Sequence, residues 1–443
     1  MTLRLFLIRH GLSSFNKEFR IQGRNDLSTL SEEGKNQASM AGKFLSQLPV
    51  HSIYSSPLKR AAETTKRIIK ERNEEISPVY TDELLEIDLE PWTGFTKEQV
   101  KKLYPEAHFT WQKDPIDLEI KRKNGSSYMP LKELMEQAHK FLENIVLNFD
   151  ENNEKNIFII GHNAILRCLL IQLLDQPSNV YRKIQIDNAS ISVINVKSKS
   201  NKPYKVQLES INSTTHLNSS LPENKSDARL ILVRHGETDW NQEGRFQGQI
   251  DIPLNSNGKN QAILCKKFLE NIVINKAYSS SMSRPKETAL EILKCHEGVK
   301  LNLKSELKEI NHGLWEGKLE TEIKEEWPSL ISQWQLNPQE VLMPEGESIQ
   351  DVWKRSVSCF NNLCKTLEKN ETALLVAHDA VNKTILCELM GLKEKDIWMI
   401  KQSNGGITVI DIKLNEKITY VITSLNITSH LGGVLDQTAK GAL

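Results

Sequence analysis

The stretch Leu5-Phe6-Leu7-Ile8-Arg9-His10-Gly11 places four apolar residues before an Arg-His-Gly triplet. The same arrangement returns as Leu230-Ile231-Leu232-Val233-Arg234-His235-Gly236, 225 residues further along the chain. A short, uninterrupted apolar run is typical of a strand that is buried on both faces of a parallel sheet. The repeat therefore predicts a duplicated domain, each copy of which opens with a buried strand and a histidine at the strand end.

The two halves of the chain stay in register well beyond this opening element. The matching segments pair residues 20–23 with 245–248, 54–60 with 278–284, 157–162 with 373–378, and 208–217 with 422–431. Between the halves lies a polar, turn-rich stretch that is typical of a linker. We therefore predict a first domain at residues 1–217, a linker at 218–226, a second domain at 227–432 and a loose tail at 433–443.

Strands and helices are predicted to alternate in each half, because the apolar runs are followed by segments with helical spacing of apolar residues. This order indicates an α/β fold with a mostly parallel sheet, in which ligands bind beyond the carboxyl ends of the strands. His10 and His162 each follow a predicted strand, and Arg60 follows a third. We expect these loops, and their counterparts in the second half, to converge on one pocket per domain.

The composition of the chain argues against several classes of protein. Of its 443 residues, 39% are hydrophobic and 26% are charged, and no stretch approaches the roughly 20 apolar residues that span a bilayer. The 57 basic and 57 acidic side chains balance, so the overall charge does not favour nucleic acid or an anionic membrane as a partner. Six cysteines without a CxxC pair are typical of a reducing, cytoplasmic compartment.

A phosphoryl-transfer site without a metal needs three kinds of side chain. Arginines hold the phosphate, a neutral imidazole can attack phosphorus, and a carboxylic acid can protonate the departing oxygen. Each half holds such a set, and no cofactor is required. The predicted catalytic residues are Arg9, His10, Arg60, Glu86 and His162 in the first half, and Arg234, His235, Arg284, Glu309 and His378 in the second. The pattern alone leaves open which histidine of each pair is the nucleophile.

At these residues both halves resemble the histidine phosphatase superfamily, also called phosphoglycerate mutase-like, and the likeness covers nearly all of each half. The resemblance implies two tandem three-layer α/β/α domains with His10 and His235 as the phosphorylated nucleophiles. It also implies that Glu86 and Glu309 are the proton donors. Additional substrate contacts at the pocket mouth would be Asn16, Gln22, Asn241 and Gln247.

The segments around the two acids favour a phosphatase over a mutase. Phosphoglycerate mutases of this superfamily resemble one another in having Glu-Arg-His-Tyr-Gly around the acid and a long insertion over the site. Neither feature is found in this sequence, where residues 86–90 and 309–313 take the place of that motif. Residues 20–38 and 378–387 are similar to the 2-carboxyarabinitol-1-phosphatase group, which implies a sugar or sugar-acid phosphate as the substrate. A phosphoglycerate mutase is the alternative, and so is a domain that only binds a phosphorylated metabolite as a regulatory module. The presence of both acids favours two enzymes.

The two halves also differ near their catalytic residues. The usual acidic residue after Arg-His-Gly is present as Glu237 but is replaced by Leu12 in the first half. Residues 344–348 match a family segment before a helix, whereas residues 124–130 do not. The second domain is therefore the stronger prediction for activity, although the first retains all five core residues. The sequence does not reveal the oligomeric state.

Overall fold

The computed structural model describes residues 2–72, 75–146, 155–176, 178–197, 204–217 and 221–439. The chain divides into two compact units, residues 1–219 and 220–443, which we name domain 1 and domain 2. This division falls within the stretch predicted as the linker. Within the described ranges, no helix is both long and apolar enough to cross a bilayer.

In the described part of domain 1, six strands form one sheet and two more form a small hairpin. The strands are β1 (Thr2–Arg9), β2 (Ser52–Ser55), β3 (Val79–Tyr80), β4 (Ile120–Lys121), β5 (Ser127–Tyr128), β6 (Lys155–Gly161), β7 (Ile191–Lys197) and β8 (Lys205–Ser213). The sheet has the order β8-β7-β1-β6-β2-β3, in which β1, β6, β2 and β3 pair in parallel, whereas β7 pairs antiparallel with both β1 and β8. The prediction of a mostly parallel sheet is confirmed.

Helices lie between the strands of domain 1. They are α1 (Ser14–Lys17), α2 (Glu32–Leu45), α3 (Lys59–Lys70), α4 (Lys97–Leu103), α5 (Pro105–Lys113), α6 (Pro130–Val146) and α7 (Asn163–Leu173). Successive residues of a strand point to opposite faces of its sheet. Since Leu5, Phe6, Leu7 and Ile8 of β1 are all at most 1% exposed, both faces of the sheet are covered, as a three-layer α/β/α domain requires.

Domain 2 repeats this architecture. Its strands are β9 (Ala228–Arg234), β10 (Lys276–Ser280), β11 (Leu301–Lys304), β12 (Thr372–Ala377), β13 (Ile407–Lys413) and β14 (Thr419–Ile427). Its helices are α8 (Asp239–Glu243), α9 (Ser256–Leu269), α10 (Ser283–Leu293), α11 (Glu320–Glu326), α12 (Pro328–Leu336), α13 (Ile349–Lys365) and α14 (Asp379–Met390). In the order β11-β10-β12-β9-β13-β14, the first four strands again pair in parallel, whereas β13 pairs antiparallel with both β9 and β14.

Strand register brings the two histidines of each domain together. In domain 1, Arg9 at the end of β1 pairs with Gly161 at the end of β6, so that His10 and His162 leave the sheet side by side. In domain 2, Arg234 pairs with Ala377 in the same way. Because parallel strands end at one edge of a sheet, the loops after them form a common pocket at that edge.

The carboxyl-terminal segment differs from the loose tail that the sequence predicted. Asp436 accepts a hydrogen bond of 2.6 Å from the Ser403 hydroxyl and lies 2.8 Å from the ammonium group of Lys401. Its side chain is 2% exposed. A buried carboxylate with these two partners fixes the segment to the rest of domain 2 at Asp436.

Candidate active site

The five predicted residues of each domain gather at the carboxyl edge of the parallel strands. The rings of His10 and His162 lie 5.0 Å apart between centroids, and those of His235 and His378 lie 5.2 Å apart. Arg60 lies in the first turn of α3, and Arg284 lies in the first turn of α10. All four histidines are buried, and so are Arg60, Arg234 and Arg284. Arg9 is partly exposed.

The hydrogen bonds of His10 and His235 leave one ring nitrogen of each with a lone pair, as the predicted nucleophilic role requires. Nδ1 of His10 is 2.7 Å from the carbonyl oxygen of Gly11, and Nδ1 of His235 is 2.6 Å from that of Gly236. A carbonyl oxygen only accepts hydrogen bonds, so Nδ1 carries the proton and Nε2 carries the lone pair. Burial, followed by the adjacent arginines, holds the pKa of both imidazoles well below the usual value, which keeps them neutral.

The second histidine of each pair is fixed by a serine. Nε2 of His162 lies 2.8 Å from the hydroxyl of Ser56, and Nε2 of His378 lies 2.9 Å from that of Ser280. Their Nδ1 atoms are buried without a protein partner among the described residues. Burial and the nearby Arg60 or Arg284 lower the pKa of His162 and His378 well below the usual value.

The arginines of domain 1 donate hydrogen bonds to backbone carbonyls through their terminal nitrogens, whereas their Nε atoms have no partner among the described residues. Nη1 of Arg9 donates to the Ile186 carbonyl at 2.8 Å, and Nη2 of Arg60 donates to the Gly23 carbonyl at 2.9 Å. The Nε atoms of both are buried and have no partner among the described residues. Leaving a buried donor unpaired costs about 1–3 kcal/mol, so these groups are suited to an anion that completes them. Burial lowers the pKa of Arg9 and Arg60 to about 10, which leaves both charged at neutral pH.

The arginines of domain 2 follow the same plan with one extra contact. Nη1 of Arg234 donates to the Gln402 carbonyl at 2.6 Å, and Nη2 of Arg284 donates to the Gly248 carbonyl at 2.9 Å. In addition, Nε of Arg284 donates to Nε2 of His235 at 3.2 Å. This bond is possible only when His235 Nε2 is unprotonated, which agrees with the tautomer inferred above.

Both acids lie at the amino end of the helix that follows the second histidine. Glu86 accepts from the backbone N–H of Ala164 at 3.0 Å, and Glu309 accepts from that of Ala380 at 3.4 Å. Glu86 is half-buried, whereas Glu309 is 2% exposed. Burial, and then the nearby carboxylate of Asp379, raises the pKa of Glu309. A raised pKa keeps this carboxyl protonated at higher pH, as a general acid requires.

The four residues predicted at the pocket mouth lie beside the nucleophile loops. The Ser13 hydroxyl lies 2.9 Å from Oδ1 of Asn16 and 2.9 Å from Oε1 of Gln22, and it donates its single proton to one of them at a time. In domain 2 the Asn241 amide donates to the Gln247 oxygen at 3.1 Å, and the Gln247 amide nitrogen is buried without a partner in the described part of the chain. That free amide can donate to a ligand oxygen.

Sequence reasoning missed two pairs of supporting residues. Ser56 and Ser280 fix the second histidines, as described above. Asn188 donates to the His10 carbonyl at 3.0 Å and to Asn16 at 3.1 Å, and Asn404 donates to the His235 carbonyl and to Asn241, both at 3.1 Å. The repeat could have identified the asparagines, because Asn188 and Asn404 are separated by the same 216 residues as His162 and His378.

Comparisons with known proteins match both domains. The sequence model of the histidine phosphatase superfamily (branch 1) matches residues 5–208 and 230–426. A 2-carboxy-D-arabinitol-1-phosphatase of Triticum aestivum is 26% identical over 97% of this chain and 86% of that protein. Phosphoserine phosphatase 1 of Hydrogenobacter thermophilus is 35% identical over 46% of this chain and 94% of that protein. Among solved structures, YhfR of Bacillus stearothermophilus is 29% identical with a TM-score of 0.44, covering 46% of this chain and 99% of that one.

Proposed function

We propose, from the premise that this chain belongs to the histidine phosphatase superfamily, that each of its two domains hydrolyses phosphate monoesters through a phosphohistidine intermediate. The chain is a phosphatase of small phosphorylated metabolites. One observation carries the proposal for the intermediate. In each domain an imidazole with its lone pair on Nε2 lies within a pocket of buried guanidinium groups, some of whose N–H donors have no partner among the described residues.

The proposed reaction has two steps. Nε2 of His10 or His235 attacks phosphorus, an N–P bond forms, and the ester P–O bond breaks. Arginines and the second histidine stabilise the charge on the phosphoryl oxygens, while Glu86 or Glu309 protonates the departing alkoxide. Water then attacks the phosphohistidine with the same carboxylate as base, which releases phosphate and restores the imidazole. No step uses a metal ion.

The proposed substrate is a sugar or sugar-acid phosphate, such as 2-carboxyarabinitol 1-phosphate. The wheat relative supports this class because its likeness extends over both domains. We also expect the enzyme to work in a cytoplasmic compartment and without nucleic-acid or membrane partners, as the composition predicts.

Trapping the intermediate tests the proposal. The full chain is mixed with a chromogenic phosphate ester or 3-phosphoglycerate and quenched, and bound phosphate is mapped by mass spectrometry. We expect acid-labile phosphate on His10 and His235, turnover that persists in a chelator, and a fall in kcat of about 1000-fold or more in the His10→Ala, His235→Ala double variant. His51→Ala, which changes an exposed histidine, is the control.

Three results would contradict the proposal. They are the absence of phosphohistidine during turnover, loss of all turnover in chelator, and full activity of the double variant. Conversion of 3-phosphoglycerate to its isomer without release of phosphate would instead support the mutase alternative.

A further inference from the structure

The helix after the second histidine differs in charge between the two domains. In α14 of domain 2, Asp379 and Lys383 follow His378, whereas the same positions in α7 of domain 1 hold Asn163 and Arg167. Residues four apart share one face of a helix. Each pair therefore lies on the same side of its helix, close to the phosphate-binding arginine that ends the first strand of the domain.

In domain 2 the extra cation is neutralised. Nζ of Lys383 lies 2.7 Å from one oxygen of Asp379, and Nη1 of Arg234 lies 3.5 Å from the other. The side chains of all three are at most 8% exposed. Lys383 is thus matched by an acid of its own domain, and its positive charge is not available to a ligand.

In domain 1 the corresponding cation has no counter-ion among the described residues. Arg167 makes no ion pair with any described residue, its Nε is buried without a partner, and its guanidinium lies over the ring of Tyr181 at 5.3 Å. Asn163 carries no charge and uses its amide to donate to the Ile186 carbonyl at 2.8 Å. Stacking on tyrosine orients the guanidinium without neutralising it.

The acids around this position are occupied by other groups. Glu86 accepts backbone N–H groups at the start of α7. Asp187 accepts side-chain amide N–H groups from Gln185 at 2.7 Å and from Asn212 at 3.0 Å. Neither carboxylate forms an ion pair with Arg167, so its guanidinium is available to a ligand.

Several observations place Arg167 next to the phosphate pocket. The Ile186 carbonyl that accepts from Asn163 also accepts from Arg9, so this face of α7 abuts the phosphate-binding arginine. The positive charge of Arg167 is close enough to contribute to the lowered pKa of Arg9, behind the main effect of burial. It contributes in the same way to the lowered pKa of Arg182, which lies over the Trp111 ring.

We propose that Arg167 binds a second anionic group of the phosphate ester that domain 1 hydrolyses, a carboxylate or a second phosphate, and that domain 2 lacks this contact. The proposal rests on the proposed function of domain 1. A planar guanidinium suits such a group because it can donate two parallel hydrogen bonds to two oxygens. The two domains then act on different substrates with the same phosphate chemistry.

The proposal is tested by the preference of domain 1 for phosphate esters that carry a second anionic group. In the full chain carrying His235→Ala, kcat/KM is measured for 3-phosphoglycerate, fructose 1,6-bisphosphate and glycerol 3-phosphate, which carry a carboxylate, a second phosphate and neither. We expect Arg167→Gln to lower the ratio of kcat/KM for an anionic substrate over glycerol 3-phosphate by about tenfold or more, mainly through KM. The anionic substrate that is affected identifies the group. A ratio that stays within about twofold for both would overturn the proposal.

Asn163→Asp is the second variant and retains Arg167. The new carboxylate would pair with Arg167 as Asp379 pairs with Lys383, so the same selectivity should fall. Lys383→Gln in the His10→Ala chain is the matched control, in which we expect no loss of preference for anionic substrates. An unchanged ratio in Asn163→Asp, or an equal loss in Lys383→Gln, would count against the proposal.

Binding to the inactive chain separates this proposal from the proposed function. Calorimetry on the His10→Ala, His235→Ala variant compares 3-phosphoglycerate and fructose 1,6-bisphosphate with glycerol 3-phosphate, with and without Arg167→Gln. A preference that disappears with Arg167 supports the contact even if the parent shows no turnover, which would refute only the proposed hydrolysis. Turnover without any effect of Arg167 on binding or selectivity would refute only the contact.

Discussion

At the scale of single residues, the hydrogen bond between His10 Nδ1 and the Gly11 carbonyl determines which nitrogen can react. The same bond at His235 leaves its Nε2 to accept from Arg284. The acids are less alike, since Glu309 is more buried than Glu86 and lies near the carboxylate of Asp379. We therefore expect the two domains to respond differently to pH.

Asp379→Asn should move the pH profile of domain 2. A general acid works in its protonated form, so kcat/KM falls as the pH rises through the pKa of Glu309. Asp379 raises that pKa, and its removal should shift the alkaline limb to lower pH. The limb is measured in the full chain carrying His10→Ala, with the exposed Asp239→Asn as control. An alkaline limb that stays in place, or that moves to higher pH, would contradict the assigned role of Glu309.

At the scale of secondary-structure elements, the loop after β1 packs directly on α2, and the loop after β9 packs directly on α9. A Cβ atom added to Gly34 in α2 would lie 2.0 Å from the Leu12 carbonyl oxygen, and one added to Gly258 in α9 would lie 2.0 Å from the Glu237 carbonyl oxygen. Such contacts are impossible without movement of backbone. Glycine at the start of these helices therefore fixes the distance between helix and loop.

Gly34→Ala should displace the loop that carries His10. We expect a loss of about 1–3 kcal/mol in the free energy of unfolding, which overpacking typically costs. In the His235→Ala chain we expect kcat/KM to fall by about tenfold or more, because small displacements of a nucleophile are costly. Denaturant unfolding and steady-state kinetics measure the two effects, and the exposed Asn36→Ala in α2 is the control. Equal behaviour of the two variants would refute a positioning role for Gly34.

The elements differ in how far the sequence predicts them. The apolar runs of β1, β6, β9 and β12 indicated buried parallel strands, and those strands are present. β3 gave no such signal, since Val79 and Tyr80 are both exposed and the strand exists through its pairing with β2. Pairing partners distant in the chain, rather than local propensity, decide such edge strands.

Some contacts of the site can likewise be predicted from the internal repeat, whereas others depend on tertiary packing alone. The residues predicted from recurrence converge as expected, although their catalytic roles stay predictions. The Ser56–His162 contact joins residues that are 106 positions apart, so no local sequence pattern predicts it. The position of Arg167 on a helix follows from the sequence. The absence of a counter-ion for it among the described residues depends on where the fold places Glu86 and Asp187.

At the scale of the whole molecule, the duplicated chain holds two candidate phosphate pockets with different surroundings. The core residues recur in full, whereas Leu12, Asn163 and Arg167 replace Glu237, Asp379 and Lys383. Duplicated sites can diverge in substrate while the shared chemistry is preserved. We therefore interpret the two domains as separate catalysts.

Phosphate stoichiometry should reveal this independence. We expect trapping to label two histidines in the intact chain, one in either His10→Ala or His235→Ala, and none in the double variant. With a chromogenic ester the rates of the single variants should add up to that of the intact chain. Quantitative mass spectrometry and steady-state kinetics check both statements. A single substitution that abolishes labelling in both domains would refute independent sites.

The fixed position of Asp436 has a consequence for proteolysis. Gly432 and Gly433 are exposed, and they precede the carboxylate that ties Ser403 and Lys401 to the chain end. Ser403 lies between Gln402, whose carbonyl orients Arg234, and Asn404, which orients the His235 loop. Cleavage by a protease at the glycine pair would separate Asp436 from the rest of domain 2. We therefore expect limited proteolysis to abolish the activity of domain 2 before that of domain 1.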